Sequence, residues 1–488
     1  MRSNYTIPFA PMKRKFLTNL TLLIFLNLLV KPFWVFGIDL TVQNTVGSAE
    51  YGFYFSLLSF SLLLNIIQDM GIANYNNRNI ARNHDLISKL LPNIFALKIL
   101  LAAAYFAISL VIALIIGYQW FQIKLLLVLL LNQFLHSMIL YLRSNISGLQ
   151  MFRTDSLLSV ADRILMIIIC SFLLWGNVSG SLFRIEWFVY AQTAAYFITL
   201  IITFLIVLKY ARISKAQLDF SVTLNMLKQS YPYALLGLLM VLYYRTDSVM
   251  LERMLVEGKM QAGIYAQGFR ILDAASMLGF LFAGILLPMF AKMIKQNEPV
   301  WQLFRFSFLL LIIPSVTGAI ALNFYRFEIM EVLYTDHAPE SGNIFGILMI
   351  SFVFICLSII SGTLLTANGN IRKLNSIAIF SVIMNILLNL VLIPRHQALG
   401  SAFASMITQF FASLLQLYWV VRIFKFYPGL RAASRFLLFT SFLILTGFLM
   451  LYLGITWYYG LLIICLSGCL VTFAFRLLTI KELKESLF

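Results

Sequence analysis

The chain has 488 residues, of which 61% are hydrophobic and 11% are charged, and its mean hydropathy is +0.90. About a quarter of the residues of a soluble domain are charged, so this composition excludes a soluble globular protein. The formal net charge is +17, but the basic residues lie in short loops between apolar runs. That placement indicates membrane topology and argues against a nucleic-acid partner.

Apolar runs long enough to cross a bilayer recur along the whole chain. Each has about twenty residues, which as a helix span a hydrocarbon core roughly 30 Å thick. We therefore predict an all-α, polytopic membrane protein with about fourteen transmembrane helices. The predicted spans are 17–38, 52–74, 92–116, 121–143, 157–176, 187–208, 231–251, 264–290, 303–322, 342–367, 374–394, 398–423, 435–454 and 457–478.

Basic residues are concentrated in alternate loops. Arg78, Lys209 and Lys292 belong to the basic set, whereas Glu257 and Glu340 belong to the opposite, acidic set. By the positive-inside rule, the basic loops face the cytoplasm. An even number of spans then places both termini in the cytoplasm.

A short motif recurs six helices apart. The second predicted helix opens with the sequence AEYGFY at 49–54, and the eighth opens with MQAGIY at 260–265, so both contain Gly-x-Tyr. An even offset preserves orientation, which relates two six-helix lobes by an axis along the membrane normal. We predict pseudo-symmetric lobes at 1–215 and 216–430, followed by a C-terminal helix pair at 431–488. Motifs this short also arise by chance.

The loops leave little room for catalysis. The longest external loop, 323–341, is too short to fold as a domain, whereas a membrane glycosyltransferase or glycan ligase needs a sizeable loop that carries catalytic groups. The chain also lacks a Gly-rich phosphate-binding loop that ends in Lys-Ser or Lys-Thr. We predict a transporter and not an enzyme, with no resident cofactor or metal.

Three cations share one predicted depth in the membrane. Lys31 in the first helix, Arg245 in the seventh and Arg270 in the eighth each lie roughly 10 Å below the outer boundary, at 1.5 Å per residue. A charge at mid-bilayer is disfavoured by about 2.5–3.5 kcal/mol, so these side chains are expected to face a cavity or a partner. We predict a cationic cavity for an anionic head group such as pyrophosphate, tuned by Asp247 and Asp273. The alternative is local neutralisation, because Asp247 follows Arg245 closely and Asp273 lies one turn after Arg270.

A second charged group lies nearer the cytoplasmic ends of the second, third and fifth helices: Asp69, Lys98, Asp162 and Arg163. We predict an inner gate closed by ion pairs, with the carboxylates available for coupling to H⁺ or Na⁺. The alternative is that Lys98 and Arg163 snorkel to the interface. His136 in the fourth helix is expected to be a packed polar residue and not a proton relay.

Several stretches resemble the polysaccharide-biosynthesis flippases of the multidrug/oligosaccharidyl-lipid/polysaccharide exporter superfamily. They are GSAEYGFY at 47–54, QDMG at 68–71, YYRTDSVML at 243–251 and AGIYAQGFRILD at 262–273. The resemblance implies alternating access between two lobes in the bacterial inner membrane. It also implies that the protein moves undecaprenyl-pyrophosphate-linked O-antigen or capsule repeat units. The implied partners are that lipid-linked oligosaccharide, membrane lipids, and the glycan polymerase and glycosyltransferases of the pathway.

The resemblance extends to individual cavity positions only in part. The related lipid II flippases carry cavity arginines on the first, second and eighth helices. Arg270 matches the eighth-helix position and Lys31 stands at the first, but Asp69 is the only charge of the second helix. This departure argues against lipid II as the substrate. A cation-coupled multidrug exporter of the same fold is the alternative function, and such a protein needs acidic cavity residues more than cations.

Overall fold

The computed structural model describes residues 25–27, 29–176, 183–211, 220–426, 429–475 and 477–478. Within these ranges the chain forms helices and connecting loops and no β-strand, which confirms the predicted all-α class. The helical segments are α1 (Trp34–Asp39, a π-helical segment), α2 (Leu40–Leu63), α3 (Ile66–Asp69), α4 (Ile72–Arg82), α5 (Leu86–Ile116), α6 (Trp120–Gly148), α7 (Phe152–Trp175), α8 (Ile185–Leu208), α9 (Phe220–Met254), α10 (Gly258–Lys295), α11 (Trp301–Phe324), α12 (Arg326–Leu333), α13 (Ala338–Ala367), α14 (Ile371–Phe424), α15 (Leu430–Tyr452) and α16 (Trp457–Ala474).

Local signals in the sequence end one membrane helix and begin the next. Helix α5 stops at Gly117, whose φ of 83° is readily adopted only by a residue without a side chain. Helix α6 then begins with a capping box, in which the backbone N–H of Gln119 donates to Oε1 of Gln122 at 2.8 Å. These caps satisfy backbone groups that would otherwise be left without partners at the helix ends.

Twelve helices in the described ranges are long and apolar enough to cross a membrane. Two of them, Phe25–Ala81 and Ile371–Phe424, have 57 and 54 residues. At 1.5 Å per residue such a stretch is roughly 80 Å long, which is enough for two crossings. Ile371–Phe424 contains the predicted spans 374–394 and 398–423, and Phe25–Ala81 contains the span 52–74 and the described part of 17–38. Backbone kinks at Gly47 and Gln397 interrupt the two long helices. The predicted total of fourteen crossings stays a prediction.

The chain divides into two compact units. Unit 1 comprises Met1–Val46 and Leu57–Leu238, and unit 2 comprises Gly47–Ser56 and Leu239–Phe488. In unit 1, α6 packs against α4 and α8, and α7 also packs against α8. The predicted lobe boundary at residue 215 lies outside the described residues, so the predicted lobe limits stay a prediction.

Unit 2 is organised around α13, which packs against α10, α11 and α14. Helices α15 and α16 pack against each other and against α11. A ten-residue segment from the α2 region, Gly47–Ser56, also belongs to unit 2, although the chain on both sides of it belongs to unit 1. We call this segment the strap.

The second predicted span is broken where the sequence pattern indicated a continuous helix. Met70 and Gly71, between α3 and α4, both adopt left-handed backbone conformations, with φ values of 43° and 81°. Gly71 tolerates this conformation at little cost, whereas nothing in the side chain of Met70 signals it. The break places Asp69 at the end of a one-turn helix, inside the region predicted to cross the membrane.

Candidate functional site

Arg245 and Asp273 form an ion pair between α9 and α10 in unit 2. Nη2 of Arg245 lies 2.9 Å from Oδ2 of Asp273, and both side chains are largely buried. The guanidinium also lies 5.0 Å from the ring centre of Phe269, a distance at which cation–π attraction contributes. Nη1 of Arg245 is buried and has no hydrogen-bond partner. Arg245 is therefore neutralised from α10, and not by Asp247 on its own helix.

Arg270 contacts the strap. Its Nε donates a hydrogen bond of 2.8 Å to the hydroxyl oxygen of Tyr51. Its guanidinium carbon lies 5.2 Å from the ring centre of Phe55 and 5.8 Å from that of Tyr51. The guanidinium of Arg270 therefore lies beside two aromatic rings of the strap, and its hydrogen bond to Tyr51 fixes its orientation.

Asp247 lies at the centre of a buried polar network in unit 2. Its side chain is fully enclosed, with the residue only 1% exposed. Tyr265 donates to Oδ2 at 2.8 Å, while the amides of Asn385 and Asn389 donate to Oδ1 at 3.1 and 2.8 Å. Ser401 donates to Oδ1 of Asn389 at 2.9 Å and so extends the network across α14.

The sequence predicts Asp247 beside the cavity arginines, but it does not predict the amide partners of Asp247. Residues two apart on a helix face different sides, which separates Asp247 from Arg245. Asn385 and Asn389 are four residues apart and therefore share one face of α14. This pair of amides inside an apolar run was the available signal in the sequence.

Lys31 lies in unit 1, near charges on α6 and α7. It interacts electrostatically with Arg143, Asp162 and Arg163. Nε of Arg163 lies 3.6 Å from Oδ2 of Asp162, and its guanidinium carbon lies 5.5 Å from the ring centre of Trp34. Lys31 therefore has a mixed-charge environment of its own. That it shares a cavity with Arg245 and Arg270 stays a prediction.

The predicted inner-gate residues form two separate pairs in unit 1. Besides Asp162 with Arg163, Nζ of Lys98 lies 3.3 Å from Oδ1 of Asp69. The same ammonium group donates to Oγ and to the backbone oxygen of Ser137, at 2.7 and 3.2 Å. Because Lys98 is buried and hydrogen-bonded, it does not snorkel. His136 packs its ring against Tyr196, with 5.5 Å between the ring centres.

Comparison with known proteins identifies the family. A sequence profile of the family described as "Polysaccharide biosynthesis protein" matches residues 16–294, which is more than half of the chain. The capsular polysaccharide biosynthesis protein CapF of Staphylococcus aureus is 24% identical over 169 residues, which are 34% of this chain and 43% of CapF. That match spans less than half of CapF's length.

Solved structures of membrane transporters share the fold. The lipid II flippase MurJ, in an inward closed conformation, superposes with a TM-score of 0.69 over 96% of this chain and 99% of MurJ, at 17% identity. An inward-facing multidrug resistance MATE family transporter of the MOP superfamily gives a TM-score of 0.62 over 82% of this chain and 94% of its own, at 13% identity. A mutant of the MATE transporter VcmN from Vibrio cholerae gives 0.56, over 83% and 98% of the two chains, at 15% identity.

The family match and the fold support one assignment. These structural neighbours are a lipid II flippase and two MATE transporters. Twelve long apolar helices in the described ranges make the protein a multi-pass membrane protein. The chain belongs to the polysaccharide biosynthesis protein family.

Proposed function

We propose that this protein is a flippase for an undecaprenyl-pyrophosphate-linked oligosaccharide repeat unit. It moves the lipid-linked glycan from the cytoplasmic to the periplasmic leaflet of the bacterial inner membrane, by alternating access. Both termini lie in the cytoplasm. The glycosyltransferases of the pathway supply the substrate, and a glycan polymerase consumes it after transport.

The observation that carries the proposal is the state of the Arg245 guanidinium. Asp273 occupies one of its terminal nitrogens, while the other, Nη1, is buried without a hydrogen-bond partner. Leaving such a donor unsatisfied costs about 1–3 kcal/mol. A pyrophosphate oxygen that reached Nη1 would remove this cost, and a guanidinium binds phosphate oxygens with directed hydrogen bonds. Arg270 adds a second guanidinium on α10 of the same unit.

We assign ion coupling to the Asp247 network. A buried carboxylate surrounded by one phenol, two amides and nearby serine hydroxyls offers oxygen atoms to Na⁺ or a base to H⁺. The network joins α9, α10 and α14, so occupancy by a cation would change the packing of three helices at once. This position replaces Asp69 and Asp162 as the favoured coupling site.

The test removes the charges of the Arg245–Asp273 pair and preserves their size. Arg245→Ala alone would leave the Asp273 carboxylate without its ion-pair partner, so a loss of transport could reflect folding. The double variant Arg245→Gln with Asp273→Asn keeps polar side chains of similar length. We expect it to reach parental membrane levels and to lose export of surface glycan, which can be measured on cells that lack the native gene.

Arg245→Lys is the matched comparison. It retains a point charge without the planar fork, so we expect partial glycan export. Normal export by the double variant would show that the pair is only structural and would overturn the assignment. If the cells instead gain resistance to organic cations and export no glycan, the multidrug exporter would be the correct function.

A further inference from the structure

Two basic side chains contact one tryptophan ring in unit 2. Nζ of Lys373 lies 4.0 Å from the ring centre of Trp419, and the guanidinium carbon of Arg422 lies 5.5 Å from the same point. Each distance is short enough for cation–π attraction. The two charges are therefore no farther apart than about 10 Å, the Debye length at 0.1 M salt, so they repel each other.

The course of α14 brings these residues together. Lys373 lies in its first turn and Arg422 in its last, and the non-helical backbone at Gln397 divides the helix into the arms 371–396 and 398–424. At 1.5 Å per residue each arm is about 39 Å long, which exceeds a hydrocarbon core of roughly 30 Å. The contact between Lys373 and Trp419 shows that the beginning and the end of α14 lie side by side. Both therefore lie in the headgroup region of one leaflet, where Trp is enriched.

The two cations lack an acidic counter-charge. Within the described ranges, no ion pair joins Lys373 or Arg422 to a carboxylate, and Nζ of Lys373 has no hydrogen-bond acceptor. Nη1 of Arg422 donates to the hydroxyl oxygen of Tyr418 at 3.1 Å. This contact orients the guanidinium, and no described residue accepts a hydrogen bond from its Nε or Nη2. Arg422 is exposed and Lys373 is partly exposed, so a ligand can reach both.

The helix dipole adds to the positive charge at Lys373. The first turn of a helix carries a partial positive charge, which favours carboxylates and disfavours cations. The first turn of α14 nevertheless contains Arg372 and Lys373, without an acidic residue and without a side-chain cap. A bound anion would interact favourably with this turn and would reduce the repulsion between Lys373 and Arg422.

The chemistry of these groups favours a phosphodiester with a net negative charge. Lys373 offers a point charge, and the guanidinium of Arg422 can direct hydrogen bonds to phosphate oxygens. The ring of Trp419 already contacts two cations, which would repel the ammonium group of a zwitterionic lipid. Anionic lipids are attracted to Lys and Arg residues beside membrane helices.

We propose that Lys373, Trp419 and Arg422 form a binding site for the headgroup of an anionic glycerophospholipid, in the leaflet on the side of the basic loops. The phosphodiester binds both cations, and the tryptophan ring supports their side chains. The bound lipid joins the two ends of α14, the helix that also carries Asn385 and Asn389. This site does not depend on the substrate that the protein transports.

Photolabelling measures occupancy of the site directly. The full-length protein is reconstituted in phosphatidylcholine vesicles that contain a small fraction of phosphatidylglycerol with a photoreactive diazirine next to its headgroup. After irradiation, mass spectrometry locates the labelled peptides in a chymotryptic digest. We expect peptides from 371–373 and 418–425 to carry more label than a phosphatidylcholine probe with the same diazirine leaves on them. Equal labelling by the two probes would overturn the proposal.

Two double variants distinguish this site from general surface charge. Lys373→Gln with Arg422→Gln should lower the excess labelling on the order of tenfold, because each basic residue contributes to the attraction of an anionic headgroup. Lys292→Gln with Lys295→Gln is the matched control. It removes the same amount of charge from exposed positions in the last turn of α10, and the excess should stay at the parental level. Equal losses in the two variants would show that only overall charge attracts the lipid, and would overturn the site.

Competition identifies the source of the phosphate group. Unlabelled phosphatidylglycerol should displace the probe from these peptides, whereas inorganic phosphate at constant ionic strength should not. A polyprenyl pyrophosphate at the same mole fraction should compete no better than phosphatidylglycerol. Displacement by inorganic phosphate, or stronger displacement by the polyprenyl pyrophosphate, would overturn the phospholipid assignment. None of these measurements involves transport, so they remain decisive even if the flippase assignment fails.

Discussion

At the scale of single residues, the sequence indicates which charged side chains lie inside the membrane helices but not which residues they contact. Depth in apolar runs singled out Lys31, Arg245 and Arg270, and the structure shows Arg245 ion-paired with Asp273 and Arg270 stacked on aromatic rings. That these cations line a substrate cavity stays a prediction. Their partners could not be predicted, because a sequence reveals neighbours within a helix but not across two helices. Asp273 was expected to face Arg270 one turn earlier, yet it binds Arg245 on α9.

Uncharged polar residues were the larger omission. Asn385 and Asn389 hold the Asp247 carboxylate, but amides in apolar helices also serve ordinary packing. Their role becomes visible only when α9 and α14 are placed side by side.

Asp247→Asn tests the proposed coupling site. The substitution removes the only charge of the network and retains a side chain of the same shape, so the helices should remain packed. We expect transport in proteoliposomes to lose its response to an imposed Na⁺ or H⁺ gradient. Binding of substrate should persist, as measured by protection from thermal unfolding. A variant that still responds to both gradients would place the coupling ion elsewhere.

Single helices were predicted more reliably than their interruptions. Apolar length was sufficient to locate the membrane helices, and the Gly-x-Tyr motifs marked two segments that touch through their glycines. The break after α3 was missed because only Gly71 hints at it, and most glycines in membrane helices leave the helix intact. At that break, Lys98 on α5 joins α3 to Ser137 on α6.

Lys98 and Asp69 should stabilise this junction as a pair. Asp69→Asn leaves the buried ammonium of Lys98 without its counter-charge, which should lower stability by up to about 3 kcal/mol. Lys98→Met added to Asp69→Asn removes the stranded charge, and the asparagine can still accept the backbone hydrogen bond from Ala73. Thermal unfolding in detergent should therefore show a lower Tm for the single variant and substantial recovery in the double variant.

A different order of stability would contradict this account. If Asp69→Asn unfolds at the parental temperature, the Ser137 contacts alone hold Lys98. The pair would then have no structural role at the break.

In the whole molecule, the number of long apolar helices is not the same as the number of membrane crossings. Two of the twelve candidate helices are long enough for two crossings each, and the kinks at Gly47 and Gln397 indicate where each of them divides. Compactness assigns the strap to unit 2, although the chain on both sides of it belongs to unit 1. Hydrophobicity along a chain cannot reveal this assignment, since it reports burial and not the identity of the neighbour.

Orientation can be tested directly with single cysteines. Positions beside Glu257 and Glu340 should react with a membrane-impermeant maleimide in intact cells that have a permeable outer membrane. Positions beside Lys292 and Lys425 should react only after the inner membrane is opened. These outcomes follow from the basic loops remaining in the cytoplasm. The reverse pattern would invert the proposed direction of transport.

The strap also sets an order of events during biosynthesis. Tyr51 and Arg270 are 219 residues apart, so a ribosome that adds about 5–20 residues per second needs roughly 10–45 s to make the second after the first. Throughout this interval the strap is in the membrane without the surface on which it will rest. Most of unit 2, Leu239–Phe488, is synthesised after unit 1, but unit 2 also contains the strap, which is synthesised earlier. If the chain were cut between the units, the C-terminal fragment would therefore lack the strap. Co-expression of the N-terminal fragment would supply the strap.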